Sequence, residues 1–237
     1  MTQDYRADAG ADALVLVGRT LTGDDVRDAT TAGRPVVLED CDLTGESLRG
    51  LDLSGWTFLN CVLDDAVLTG TDLSRSVWRR GSARQAKLLD ADLVDASFHG
   101  VDFSGARLSG SLLTDTLFDG CRAMGAYLDR TRGMGMTLRS CNLYAAHLDG
   151  ASFGGAPLAR LRLDEASLRN ADLRGCVLDE CTLVGAELTG ARMEGADLRG
   201  AALGECDADR LACLRGAILN PDQAAAILTQ VAGVVVS

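Results

Sequence analysis

The sequence is poor in residues on which many cores and binding sites depend. Aromatic residues make up 4% of its 237 positions, and it has only three prolines and two histidines. Large rings therefore cannot fill the core, and Leu, Ala and Cys must pack a narrow interior instead. No run of apolar residues approaches the roughly 18 that a membrane-spanning helix needs, so we expect no membrane contact.

Signatures of catalysis and metal binding are also scarce. There is no CxxC pair and no glycine-rich phosphate loop between a strand and a helix. His99 and His147 form no pair that could bind a metal, and neither accompanies a plausible nucleophile. We expect no enzymatic activity, no cofactor and no metal. Adjacent carboxylates are expected at turns open to water, where burial cannot tune their acidity: Asp64 and Asp65, Asp164 and Glu165, Asp179 and Glu180.

Acidic residues outnumber basic ones, 34 against 23, which gives a net charge of −11. Such a protein is repelled by nucleic acid and by anionic membranes, and is attracted to basic surfaces. The N-terminus shows no positively charged start followed by an apolar run. We therefore expect a cytoplasmic protein that does not bind nucleic acid directly.

What the sequence does contain is a repeat. From position 38 to position 203, every fifth residue is large and apolar, except at Ala83, Ala123 and Gly133. The residue two positions earlier is usually Ala, Cys, Ser, Thr or Gly. A period of five fits neither a helix nor a strand, so residues 36–205 form one array of repeats.

The remaining positions of the unit predict how the chain turns. The fifth residue is often Gly, Asn or Asp, which a tight turn with positive φ requires. A chain that turns a corner on every unit closes a square coil every four units. Seven of the eight cysteines occupy the small position, so we expect them to be reduced and buried, without a role in redox chemistry or metal binding.

The pattern A(D/N)LXX, as in Ala-Asp-Leu-Arg-Gly at 171–175 and again at 196–200, resembles that of the pentapeptide-repeat family. The resemblance covers residues 36–205. It implies an all-β fold, a right-handed quadrilateral β-helix, here with a short α-helix as a C-terminal cap.

Residues 20 apart in sequence should then stack on each other. One column would be Leu63, Ala83, Phe103, Ala123 and Leu143, in which the Phe lies between the two Ala residues. Such compensation of volume is expected in a close-packed core. Two further columns are a ladder of Leu from position 48 to position 188 and an aromatic stack of Phe58, Trp78, Phe98 and Phe118.

One segment inside the array, residues 130–136, is irregular. Gly133 replaces a large core residue, and Met136 replaces a small one. Two interpretations remain open: either the Met136 side chain fills the space that Gly133 vacates, or the segment is a functional kink.

Both ends of the array need caps. Residues 1–35 are predicted to be an N-terminal tail and cap, with a frayed start at 1–13, a strand at 14–17 and a helix at about 22–32 that begins at Thr22 or Asp24. Residues 206–237 are predicted to be a capping and dimerisation segment. Cys213 and Ile218 would belong to a last distorted coil.

A C-terminal helix should begin at Asn220 and run to about residue 230, because Asn220, Pro221 and Gln223 form a capping sequence. Ile227, Leu228 and Val231 would be its apolar face, and the tail 234–236 is too apolar for one small core. We predict that the protein is a homodimer through this segment. The predicted interface residues are Ile218, Ile227, Leu228, Val231, Val234 and Val235.

The outward positions predict one candidate binding surface. Asp52, Asp72 and Asp92 would stack, with Asp95 and Asp115 beside them, and we call these five residues the acidic stripe. Like charges about 5 Å apart repel each other, which lowers stability unless a partner benefits. The alternative is that Asp is simply common before the Leu of the unit. A basic cluster, with no acid from 74 to 89, is either a second contact or a solvated patch: Arg75, Arg79, Arg80, Arg84 and Lys87.

Two functional hypotheses follow. The array looks like that of the mycobacterial-type members of the family. This resemblance implies a dimer that imitates duplex DNA, binds the type II topoisomerase DNA gyrase, and modulates it or protects it from inhibitors. The alternative is a scaffold or adaptor rod that binds another protein and has no effect on a topoisomerase.

Overall fold

A computed structural model describes residues 12–235. Within these residues the chain is a parallel β-solenoid with three helices at its ends. The helices are α1 (Gly23–Thr30), α2 (Ala208–Cys213) and α3 (Pro221–Ala232). The nine strands form one parallel sheet in sequence order: β1 (Leu14–Val17), β2 (Val36–Glu39), β3 (Thr57–Leu59), β4 (Val77–Arg79), β5 (Ser97–His99), β6 (Leu117–Asp119), β7 (Thr137–Arg139), β8 (Pro157–Ala159) and β9 (Val177–Asp179).

The solenoid has four faces, because parallel pairing between residues 20 apart occurs at four offsets separated by five residues. Face 1 contains the pair Asp42 and Val62, face 2 contains Ser47 and Val67, and face 3 contains Asp52 and Asp72. Face 4 carries the strands β2 to β9, which pair in the same register from β2 onwards. The predicted quadrilateral β-helix is confirmed.

Each unit points its large apolar residue into the core and turns a corner at its fifth residue. Corner residues have positive φ, such as 72° at Gly45, and non-glycine residues adopt the same conformation, such as Asp65 at 59°. The large apolar residue of nearly every unit is buried, and these residues form one continuous core.

The small inward position has a second use besides packing. The hydroxyl of Thr71 donates to the carbonyl of Leu48 over 2.8 Å, and the thiol of Cys121 donates to the carbonyl of Phe98 over 3.4 Å. Small polar side chains at this position therefore stay hydrogen-bonded inside the core. All eight cysteines are free, and burial raises the pKa of Cys61 to about 12, as expected for thiols that only pack.

The stacked columns follow the predicted register. Phe58 and Trp78 lie in adjacent coils with ring centroids 4.1 Å apart, and Phe98 and Phe118 with centroids 4.9 Å apart. Phe103 lies between the coils of Ala83 and Ala123, since Ser82, Asp102 and Arg122 pair in sequence. The large ring of Phe103 therefore lies between two coils that carry the small residue Ala in the same column.

At the N-terminal end, the predicted strand and helix are both present. Thr22 caps α1 in a capping box with Asp25, and the helix buries Val26 and Ala29 in the core. Glu46, the one charge at a small position, accepts a hydrogen bond from the N–H of Gly23 over 2.7 Å. Its negative charge therefore lies at the positive end of α1. Residues 1–11 of the predicted frayed start lie outside the described residues.

At the C-terminal end, Asn220 and Gln223 form the predicted capping box, and Gly233 ends α3 with a φ of 65°. The side chain of Gln223 also donates to the carbonyls of Leu198 and Ala201, both at 2.8 Å. Ile218 pairs with Asp197 in a last coil, as predicted. Cys213 does not belong to that coil, because it is the last residue of α2, which we did not predict.

The predicted apolar face of α3 needs a correction. Ile227 is buried and Val231 packs against the core of the same chain, whereas Leu228 is 45% exposed. The reason is geometric: residues four apart share one helical face, and the next residue lies about 100° away.

Candidate partner-binding surface

The acidic stripe is aligned along face 3. Asp52 pairs with Asp72, and Asp72 pairs with Asp92, as isolated parallel bridges. Asp95 and Asp115 follow at the adjacent corner, where both are exposed and have φ values of 58° and 54°. All five predicted carboxylates therefore lie on neighbouring coils at one edge of the rod.

Hydrogen bonds within each unit fix the carboxylates of the first three. One oxygen of Asp52, Asp72 and Asp92 accepts a hydrogen bond from the N–H two residues later, at 3.0, 2.9 and 3.0 Å. The hydrogen bond from Ser54 lowers the pKa of Asp52 below its ordinary value. This geometry leaves the second oxygen of each carboxylate for a partner.

Several carboxylates of the rod form ion pairs with arginines, and the stripe carboxylates are among those that do not. Elsewhere arginines neutralise carboxylates. Asp64 contacts Arg84 at 2.5 Å, and Asp197 contacts Arg199 at 2.6 Å. Among residues 12–235, none of the five stripe carboxylates has a basic nitrogen within 4.0 Å, and the charge of Arg75 acts on Asp52 only from a greater distance.

The stripe is short. Beyond Asp92, the same column of face 3 continues with Leu112 and then Arg132. Further along, Asp172 is held between Arg174 and Arg192 at 2.8 and 2.9 Å. Only the N-terminal half of face 3 is therefore a row of free negative charges.

Two predictions about neighbouring charges were wrong. Asp64 is not open to water, because it is only 8% exposed and is covered by its ion pair with Arg84. The basic cluster is not one patch either. Arg75 lies at the corner after face 3, whereas Arg84 follows face 1 and Lys87 lies on face 2. The 13 residues from Arg75 to Lys87 pass around more than half of one coil.

The histidines and the rest of the described chain provide no metal centre. The Nδ1 atom of His99 lies 3.6 Å from a carboxylate oxygen of Asp119, and His147 stacks on Tyr127 with ring centroids 4.3 Å apart. Among residues 12–235 no group of three or more His, Cys, Asp or Glu side chains is arranged to hold a metal ion. Over the same residues, no helix is both long and apolar enough to cross a membrane.

The predicted dimer residues divide into two groups. Ile218, Leu228 and Val234 are nearly half exposed, and Val235 is 84% exposed. Ile227 and Val231 instead belong to the core or pack against it. Val236, the last residue of the predicted apolar tail, lies outside the described residues. The exposed apolar surface at this end therefore comes from the last coil, one side of α3 and the tail.

Comparison with known proteins adds a family and a fold. A family model described as pentapeptide repeats matches eight copies, at residues 37–77, 82–115 and 160–200. Two trypsin-treated variants of QnrB1, a plasmid-mediated fluoroquinolone resistance protein, have similar structures. Their TM-scores are 0.62 and 0.61 at 23% and 21% sequence identity, and each alignment covers 95% of this chain and 98% of that one. Among curated proteins no sequence match was found.

Proposed function

We propose that this chain, which belongs to the pentapeptide-repeat family, binds the type II topoisomerase DNA gyrase and modulates it or protects it from inhibitors. The observation that carries the proposal is the acidic stripe, a row of carboxylates without ion pairs on a rod of even rise. The similarity in fold to a fluoroquinolone resistance protein supports the same class of role.

The stripe has the chemistry that a basic DNA-binding channel would recognise. Its charges recur once per coil, at a spacing of about 4.8 Å, whereas duplex DNA carries one charge per roughly 1.7 Å of its axis. The three coil steps from Asp52 to Asp115 span roughly 15 Å on this spacing. We therefore propose a local imitation of one stretch of phosphates, which positions the rod in the channel and leaves other contacts to the remaining faces.

A supercoiling assay with purified gyrase, with and without a fluoroquinolone, tests the proposal. The triple variant Asp52→Asn, Asp72→Asn, Asp92→Asn removes three charges, and the amide oxygens can still accept the hydrogen bonds of the turns. We expect this variant to lose the effect of the wild-type protein. Reversal of the same positions to Lys should abolish any residual effect.

The chain offers a matched control. Asp42 and Asp102 on face 1 and Glu187 on face 2 occupy the same position of their units, and each accepts the N–H two residues later at 2.9 to 3.0 Å. The variant Asp42→Asn, Asp102→Asn, Glu187→Gln therefore has the same net charge and should keep its effect. Equal losses in both triple variants would show that total charge matters and the stripe does not.

The alternative is a scaffold rod that binds another protein. It predicts that the wild-type protein has no effect on gyrase at micromolar concentration, with or without the drug. That single result would remove the proposed function, and the fold would be unaffected.

We also propose that the active form is a cytoplasmic homodimer and that it has no enzymatic activity. The exposed Leu228, Val234 and Val235 lie at the C-terminal end of the rod, away from the acidic stripe. Joining two rods at this end would cover apolar surface that is otherwise in water, and would leave both stripes free.

A further inference from the structure

The coils of the rod are not equally well joined. We infer that the rod bends at one level, between the coil that contains residues 122–141 and the next coil, with faces 1 and 2 acting as the hinge and faces 3 and 4 opening. This inference rests on hydrogen bonding and packing, and it does not depend on the identity of a partner.

On face 3 the ladder is interrupted at this level. One coil below, Leu113 and Asp115 donate their N–H groups to the carbonyls of Arg132 and Met134 over 2.7 and 2.9 Å. Gly133 and Gly135 should donate in the same way to the next coil. Neither bond forms, and no bridge joins Arg132 to Ser152, although Ser152 pairs normally with Asp172 further on.

Gly133 explains the interruption. Its φ is 104°, and a Cβ atom at this position would lie 2.7 Å from the backbone nitrogen of Thr114. The backbone is therefore drawn towards the coil of Thr114 and away from Ser152. Met136 is buried in the core, which agrees with the interpretation that its side chain fills the space that Gly133 vacates.

Face 4 is weakened at the same level. Strands β7 and β8 pair only at Arg139 and Ala159, whereas β6 and β7 pair at three positions. Pro157 has no N–H, so it cannot make the bond that Thr137 makes to Thr116 at 2.8 Å or that Val177 makes to Ala156 at 3.3 Å. Two adjacent faces therefore lose main-chain bonds between the same two coils.

Faces 1 and 2 stay closed at this level. Arg122 pairs with Asn142, and Tyr127 pairs with His147. The rings of Tyr127 and His147 also stack, with an interplanar angle of 7°, and this is contact beyond the backbone ladder. Because the intact and the weakened faces lie on opposite sides, the motion has a direction: the gap opens on faces 3 and 4.

Two further observations agree with a weak level here. A small apolar cavity lies in the core next to this level, mainly between the coil of Phe103 and the coil of Ala123, with Leu143 from the coil beyond at its edge, so packing beside the level is incomplete. The family model also matches on both sides of residues 116–159 and not within them. The unmatched segment contains the irregular residues 130–136, where the ladder is interrupted.

The hinge divides the rod into two functional parts. All five residues of the acidic stripe lie on its N-terminal side and follow face 3, which is one of the opening faces. The C-terminal side carries the ion pairs of Asp172 and Asp197 and the C-terminal cap. On the proposed function, bending would set the angle between the stripe and the C-terminal end, so that the rod can follow a curved binding channel.

Amide hydrogen exchange on the full-length protein tests the hinge directly. We expect the N–H groups of Gly133, Gly135 and Ser152 to exchange at least about tenfold faster than those of Leu113, Asp115 and Arg132, their equivalents one coil below, since exchange reports local opening. Equal protection at both levels would overturn the inference.

Two reciprocal substitutions sharpen the test. Pro157→Val restores the missing donor, with the residue that Val77 and Val177 provide in the same column, and should slow exchange at this level. Val177→Pro should create a second fast-exchanging level between β8 and β9. If Pro157→Val folds and leaves the exchange pattern unchanged, the face 4 part of the inference is wrong.

The direction of bending is measured by distances between spin labels in a Cys213→Ser background. The pair Asp92→Cys and Arg192→Cys spans the level on face 3, and the pair Ser82→Cys and Thr182→Cys spans it on face 1 over the same number of coils. We expect a broader distance distribution on face 3. Equal widths would exclude a hinge with this axis.

The gyrase assay then separates the two proposals. If the wild-type protein has no effect on gyrase, the proposed function fails, while the exchange and distance data still decide the hinge. If the wild-type protein acts on gyrase, the rigidified Pro157→Val variant should show a changed effect at unchanged stripe charge.

Discussion

Phe103 lies between two alanines of the same column, so the stacking of coils can be tested by the effect of substitutions in this column on the free energy of unfolding. Its ring centroid lies 6.5 Å from that of Trp78 and 5.9 Å from that of Phe118, both of which belong to the aromatic stack. Phe103→Ala removes this buried ring, and such substitutions cost about 3 to 5 kcal/mol of unfolding free energy. We expect a value in this range because Phe103 is only 1% exposed.

A second substitution tests whether the neighbouring coil shares the same space. Ala123 is the next residue of the column, and a cavity already borders it. In the double variant Phe103→Ala, Ala123→Phe, the ring moves by one coil and the summed volume of the column is kept. We expect a favourable coupling of at least about 1 kcal/mol between the two sites, as is usual for residues in contact.

The control is a substitution in the same column, further towards the C-terminus. Leu163→Phe adds a ring three coils away from Phe103, so it should show no coupling with Phe103→Ala. Urea unfolding followed by the fluorescence of the buried Trp78 gives the free energies, because this ring lies beside the altered site. A coupling of zero for Ala123→Phe, or an equal coupling for Leu163→Phe, would refute the stacked column.

Two further predictions concern the ends and the charges. The hydrogen bond from Arg174 lowers the pKa of Asp172 to about 2. The ionised Asp172 should therefore stabilise the fold above the unfolded pKa of about 4, and this contribution should be lost as the pH falls through about 2. In acid titrations Asp172→Asn should reduce the loss of unfolding free energy, whereas the control Asp209→Asn, at an exposed position, should not. Leu228→Asp should give monomers in analytical sedimentation while the circular dichroism stays unchanged, and a wild-type protein that is already monomeric at high concentration would contradict the proposed dimer.

The fold could be predicted because the repeat fixes it at many positions at once. Each unit specifies an inward residue, a small residue and a corner, so an error at one unit does not change the register. The aromatic column from Phe58 to Phe118 and the capping box of Asn220 and Gln223 followed directly. Local signals were sufficient there because every partner lies at a fixed separation in sequence.

The rest depended on geometry that a repeat does not specify. Helix α2 was missed because it is a single short segment of six residues, although Asp207 caps it by accepting the N–H of Arg210. The prediction that Leu228 lies on the same apolar face of α3 as Ile227 was wrong, because only one side of a capping helix meets the core. The basic cluster was misjudged because neighbours in sequence lie on different faces of a coil.

The availability of a carboxylate for a partner depends on the residue two positions after it. In Asp-Leu-Arg, as at Asp172 and Asp197, the arginine reaches back with two nitrogens and occupies both carboxylate oxygens. After Asp92 the later residue is Val, so only the backbone N–H is bonded and one oxygen remains open. Where the later residue is Ser, its hydroxyl can add a hydrogen bond, as Ser104 does to Asp102, but it brings no positive charge. The same turn therefore yields either an internally neutralised unit or a free charge.

This dependence argues that the acidic stripe is more than a frequent residue at a frequent position. Asp occurs before the central Leu in both halves of the rod, but the half that carries the stripe lacks the neutralising arginines. Repulsion between three aligned carboxylates costs stability, and an arginine at position 74 or 94 would be enough to relieve it. The stripe leaves its charge uncompensated in adjacent coils, which is the arrangement that a basic partner would use.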